Sequence, residues 1–321
     1  MKKLTALLLS LLMLLSLNTG FAGETTPINI GGLKGPTTMG LVKLLSDNKN
    51  NKTPIPYNFT MATTADELIP RLLQGEFDLL SVPANLASVL YNKSEGKVKV
   101  VAVGVLGVLY IVEKGDSVQS LEDLKGKTLY ATGKNTTPEY ALRTILSANG
   151  IDFDKDLTIE WVSEPTEAVA KLSQQEGGIA MLPQPFVTVA QKQVEGLRVA
   201  LSLEEEWNKQ ENAGRLVTAV ALAHENFVNA RPDALAQFLK DYEASVAFAN
   251  EQVEEAALLV EEYGIVKAPI AKEALPYTNL VCITGIEMQT ALEGYLSVLF
   301  AHNPAAVGGE MPGEDFYYLA K

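Results

Sequence analysis

The 321 residues are enough for two domains of ordinary size, and 47% of them are hydrophobic. With 26 Lys and Arg against 39 Asp and Glu, the formal net charge is −13, which argues against nucleic acid or an anionic membrane surface as partner. Two histidines, His224 and His302, and one cysteine, Cys282, exclude a disulfide within the chain and leave little for metal or nucleophilic chemistry.

Lys2 and Lys3 precede a Leu-rich run over 6–17 and then Asn18-Thr19-Gly20-Phe21-Ala22. This is the pattern of a cleaved signal peptide, residues 1–22. Its apolar run is too short for a membrane span, which needs about 20 residues. Gly23 follows the cleavage point, so no cysteine is there to carry a lipid anchor. Without Lys2 and Lys3 the net charge becomes −15. The mature chain is expected to be soluble and extracytoplasmic, in a bacterial periplasm.

Short apolar runs alternate with amphipathic stretches along the rest of the chain, the signature of an α/β fold. Strands are expected over 28–30, 57–61, 78–82 and 98–103. Thr64-Ala65-Asp66-Glu67 reads as a capping box opening a helix that Gly75 ends, with Pro70 kinking or shortening it. The apolar stretch 98–112, with Gly104 and Gly107, carries the chain into a second lobe as two strands or one bent one. There, strands are expected over 128–131, 158–162 and 179–182. Helices are expected from Thr137-Pro138 to Gly150, over 166–175 and over 185–193. The segment 215–223 returns the chain, and helical patterns over 232–263 and 286–300 should pack on the first lobe. The division is then 23–110 with 220–321 for the first lobe and 111–219 for the second.

The two lobes repeat at an offset of 100 residues. A strand runs into Lys34-Gly35-Pro36-Thr37-Thr38 in one and into Lys134-Asn135-Thr136-Thr137-Pro138 in the other. The strand ending at Pro83 has its counterpart ending at Pro183. Open α/β sheets bind ligands at the carboxyl ends of their strands, where helix N-termini present free amides and a positive dipole. The candidate ligand residues are therefore Lys34, Gly35, Pro36, Thr37, Thr38, Pro83 and Asn85 in the first lobe. Tyr110, at the crossing, and Lys134, Asn135, Thr136, Thr137, Pro183 and Gln184 complete the set. The lysines favour a polar or anionic solute, while Tyr110, Tyr140 and Phe186 would equally flank a heteroaromatic ring. No nucleophile elbow, phosphate loop or metal spacing is present, so no catalytic residue, cofactor or metal is expected.

The opening 28–45, the turn Gly75-Glu76-Phe77-Asp78, the phrase Ser-Leu-Glu-Asp-Leu-Lys-Gly-Lys (120–127) and Leu182-Pro183-Gln184-Pro185 together resemble an ABC-importer substrate-binding protein. The most similar group is that of the nitrate, sulfonate, taurine and thiamine-precursor binders. The resemblance implies a two-lobed type II periplasmic-binding-protein fold with a two-strand hinge and closure on a small-molecule solute. It also implies docking of a monomer on an ABC permease with its ATPase. An enzyme on the same fold, such as a chorismate-dehydratase-like protein, is set back by the signal peptide. A ligand sensor for a membrane receptor is the third reading.

Overall fold

The computed structural model describes residues 26–210 and 214–320, so the expected signal peptide lies outside the described residues. Among these, the strands are β1 (Ile28–Leu33), β2 (Tyr57–Ala62), β3 (Leu79–Pro83), β4 (Val98–Val105), β5 (Leu109–Lys114), β6 (Thr128–Ala131), β7 (Thr158–Trp161), β8 (Ile179–Pro183), β9 (Leu197–Ser202), β10 (Ala219–His224) and β11 (Leu280–Ile283). They form a six-stranded sheet, ordered β11-β4-β10-β3-β1-β2, and a five-stranded sheet, ordered β7-β6-β8-β5-β9.

The two sheets are built alike. In the first, β1 lies parallel to β2 and β3, and β10 runs antiparallel to β3 and β4. In the second, β6 lies parallel to β7 and β8, and β5 runs antiparallel to β8 and β9. The three parallel strands of each sheet therefore end on one side, as the 100-residue repeat requires.

Strands such as β10, all six of whose residues are buried, need cover on both faces. On one face of the first sheet, Ile28, Ile30, Leu79, Val101 and Ala221 share a core with Phe238 and Tyr242 of the helix Pro232–Glu251. The opposite face opens into an apolar cluster that continues without a break into the second lobe. It passes from Val100 and Val220 through Tyr295, Leu296 and Trp207 to Leu129 and Ile145. The helix Gly285–His302 carries this bridge, touching both β4 and the second-lobe helix Thr137–Ala148. Its expected place on the first lobe is thus only part of its role.

The chain changes sheet between Val105 and Leu109, and again between Ser202 and Ala219. Leu109 and Tyr110 already pair with β8 and β9, so the sheets change slightly before the expected boundary at 110. The first crossing is short, while the return includes the helix Leu203–Asn208. The expected strand 215–223 begins only at Ala219. Pro70 does not kink a helix. The capping box closes a 3-10 turn, Ala65–Glu67, and the helix Ile69–Leu73 starts afresh with Pro70 in its first turn, where its missing amide costs nothing.

Candidate functional site

Between the two sets of strand ends lies a cleft of about 650 Å³. Each lobe contributes three strand-end loops, and the floor is made by the crossings through Val105, Val108, Leu109, Thr218 and Ala219. The floor is fixed by backbone bonds: the Thr218 amide donates to the Val105 carbonyl (2.9 Å), and the Gln184 amide donates to that of Val108 (3.1 Å).

Nine of the fourteen residues expected from the sequence line this cleft: Lys34, Gly35, Pro36, Thr37, Pro83, Lys134, Asn135, Thr136 and Pro183. Gly35 has φ 146° and ψ −149°, a conformation essentially closed to residues with a Cβ. That turn aims the first lobe's opening segment across the cleft.

The other five are turned elsewhere. Thr38 is fully buried and its hydroxyl donates to the Leu33 carbonyl (2.6 Å). Asn85 and Thr137, both fully buried, bond to each other: the Thr137 hydroxyl donates to Asn85 Oδ1 (3.2 Å). Asn85 Nδ2 also donates to the Ala306 carbonyl (3.0 Å). Gln184 is buried and accepts from the Thr188 hydroxyl (3.0 Å). The Tyr110 hydroxyl donates to the Tyr277 carbonyl (3.3 Å).

The helix starts are less open to an anion than the sequence implies. At Thr137–Ala148 the Asn135 amide is already taken by Glu139 Oε2 (2.7 Å), whose other oxygen accepts from Arg143 Nε (2.7 Å). The Thr136 hydroxyl donates to the Gly133 carbonyl (2.7 Å) and that of Thr37 to the Leu33 carbonyl (2.9 Å), leaving each as an acceptor toward the cleft. Positive charge comes instead from Lys34, Lys93 and Lys134, all exposed on the cleft wall. Among the described residues no carboxylate pairs with any of them, and Asp66 is the one acidic residue on the wall. The Thr218 hydroxyl, at the floor, is buried and without a protein partner among the described residues.

Sequence reasoning missed the loops after β2 and β7. Thr63, Thr64, Ala65 and Asp66 face Ser163 and Pro165 across the cleft mouth. The signal was present, since these loops obey the same offset. The Thr63 amide donates to Glu67 Oε1 (3.2 Å), and the Ser163 amide donates to Glu167 Oε2 (3.1 Å). Glu67 sits below the usual carboxylate range, foremost because it accepts from the Thr64 amide (2.9 Å) and then from the Thr64 hydroxyl (3.0 Å). Tyr140, expected as a ring-flanking residue, does line the cleft, while Lys93 and Thr218 were missed because nothing local marks them. Among the described residues, no group of three or more His, Cys, Asp or Glu could hold a metal ion, and no helix is long and apolar enough to cross a membrane.

Two α/β lobes with parallel strand ends facing one another over a cleft, joined by two crossings, define the periplasmic-binding-protein fold. A sequence model for the family described as "ABC transporter, phosphonate, periplasmic substrate-binding protein" matches residues 42–266, and the chain belongs to that family. It is the periplasmic substrate-binding component of an ABC transporter. No curated protein matches the sequence. Among solved structures, an ABC transporter protein from Parabacteroides distasonis is similar at 22% identity and TM-score 0.73, covering 92% of this chain and 100% of that one. The periplasmic aliphatic sulphonate binding protein of Escherichia coli is similar at 18% identity, TM-score 0.73 and 92% coverage of both chains. The alkanesulfonate-binding protein of Xanthomonas axonopodis pv. citri, bound to MOPS, is similar at 14% identity and TM-score 0.73, covering 93% of this chain and 100% of that one. At these identities the structural likeness establishes the fold.

Proposed function

We propose that this binding component captures an organic oxyanion, a phosphonate or sulfonate bearing a short apolar substituent, and delivers it to its permease and ATPase. The observation that carries this reading is the trio Lys34, Lys93 and Lys134 around one cleft, without carboxylate partners among the described residues. They stand above an apolar floor of Val105, Val108 and Leu109. An anionic head would meet the lysines and a small organic tail the floor. The ligands named for the family and for its structural neighbours agree with this chemistry. A ring sandwich is less well supported, because Tyr140 is the one aromatic residue on the wall, while Phe186 is buried and Tyr110 points to Tyr277.

On this reading residues 1–22 are removed on export and the mature protein works as a monomer without a lipid anchor. Ligand drives closure because only the closed state makes contacts from both lobes at once. Isothermal titration of the mature chain with methylphosphonate, methanesulfonate and a heteroaromatic such as a pyrimidine tests the ligand class. The oxyanions should bind, more weakly as salt rises. Lys34→Ala and Lys134→Ala should each weaken them about tenfold, equivalent to about 1.4 kcal/mol. Binding of the pyrimidine alone, untouched by either substitution, would refute the reading.

A further inference from the structure

The two helix starts that face the cleft differ by one buried charge. The first-lobe helix Pro36–Met39 has no acidic residue in its first turn, and its third residue is Thr38. The third residue of the second-lobe helix Thr137–Ala148 is Glu139. Glu139 is 5% exposed and stands behind the cleft wall. Its chain neighbours Pro138 and Tyr140 line the cleft, and its Oε2 accepts from the amide of a third wall residue, Asn135 (2.7 Å).

This charge is only partly offset. Arg143 Nε donates to Glu139 Oε1 (2.7 Å), but the same guanidinium also donates to Asp154 (2.8 and 3.0 Å), so the three groups together carry one net negative charge. The member of the trio bonded to the wall is the Glu139 carboxylate. A buried charge is screened less than an exposed one, whereas Lys34, Lys93 and Lys134 are all exposed. A carboxylate in the first turn also offsets the helix dipole that would otherwise favour an anion there. An oxyanion drawn in by the lysines therefore meets an opposing field from the second lobe. That opposition doubles when the oxyanion takes a second charge.

We propose that Glu139 sets the charge selectivity of the cleft, weakening its hold on doubly charged oxyanions relative to singly charged ones. The proposal rests on the oxyanion reading above and narrows it toward sulfonates and singly ionised phosphonates. Glu139 acts through the wall, which makes it a positioning residue, and the readout is a ratio of affinities that a loss of stability does not move. The test is equilibrium binding of methylphosphonate, below and above its second ionisation, to the wild type, Glu139→Gln, Arg143→Gln and Asp154→Asn. Methanesulfonate, singly charged throughout, is the reference for the protein's own titration, including that of Asp152 and His302, which lie around Arg143.

Glu139→Gln keeps an acceptor for the Asn135 amide and removes the charge. It should raise affinity for the methylphosphonate dianion, relative to methanesulfonate, by at least about fivefold, part of what an uncompensated charge would do at this range. Below the second ionisation the ratio should stay as in the wild type. Arg143→Gln leaves Glu139 unpaired and should move the dianion ratio the other way. Asp154→Asn changes the net charge as Glu139→Gln does, but at a side chain 70% exposed, and should leave the ratio nearly unchanged. A dianion ratio unaltered in Glu139→Gln, or raised equally in Asp154→Asn, would overturn the proposal and leave the oxyanion reading standing. If neither compound binds the wild type, the oxyanion reading fails and the proposal fails with it.

Discussion

Glu204 is the side chain whose chemistry most constrains the crossing. It packs so closely on Gly107 that a Cβ there would lie 2.5 Å from the Glu204 Cβ. Its Oε2 accepts from Asn279 Nδ2 (2.7 Å), and the same nitrogen donates to the Gly107 carbonyl. One asparagine thus ties both crossings to the first lobe, in a left-handed conformation with φ 45° that asparagine tolerates. Burial raises the Glu204 carboxyl above its ordinary range, against the opposing effects of the Asn279 bond and of Arg215. A raised folded-state pKa means that the folded chain holds this proton where the unfolded chain has lost it. Its stabilising contribution is therefore full below the ordinary carboxylate range and declines as pH rises through the folded value. Glu204→Gln keeps an acceptor for Asn279 and removes the charge. The variant should melt above the wild type at neutral pH and together with it in mild acid. A difference of equal size at both pH values would refute the assignment.

At the scale of elements, the first turn of the helix Ala84–Lys93 meets the first turn of Thr137–Ala148 through Asn85 and Thr137. This buried pair joins the lobes directly. Asn85→Ala would leave the Thr137 hydroxyl and the Ala306 carbonyl without these partners, at a cost of about 1–3 kcal/mol, readable as a lower urea midpoint. A variant that lost ligand affinity at unchanged stability would instead return Asn85 to the ligand site. The sequence offers a reason for expecting contact there, and the structure shows its limit. A repeat locates the ends of β1, β3, β6 and β8, because strand ends and helix starts are set by local pattern. It does not say which side chain of a tight turn faces outward. Thr37 and Thr136 reach the wall, while their neighbours Thr38 and Thr137 turn inward. The edge strands β9 and β11 escaped for another reason. One carries Arg198 as its second residue and is partly exposed, and the other is four residues long, so neither presents a clear period.

For the whole molecule, the lobed α/β architecture and its two crossings were legible because the repeat demands them. The helix Gly285–His302 was harder to place. It buries Met288, Leu292, Tyr295 and Leu296, and Tyr295 meets the second crossing at Trp207, ring centroids 5.5 Å apart, so one helix serves both lobes. Charge is also organised at this scale. An acidic chain, net −13, gathers three lysines at its cleft, a local positive site on a surface otherwise repelling anions. That arrangement is what a receptor for an anionic solute requires, and it makes the identity of the captured solute the point on which the account stands. Native mass spectrometry of the mature protein, purified from its own host without unfolding, addresses it most directly. The account predicts a small adduct that contains phosphorus or sulfur and is released on denaturation. A stably captured solute with no oxyanion group, retained when phosphonates and sulfonates are added in excess, would contradict it.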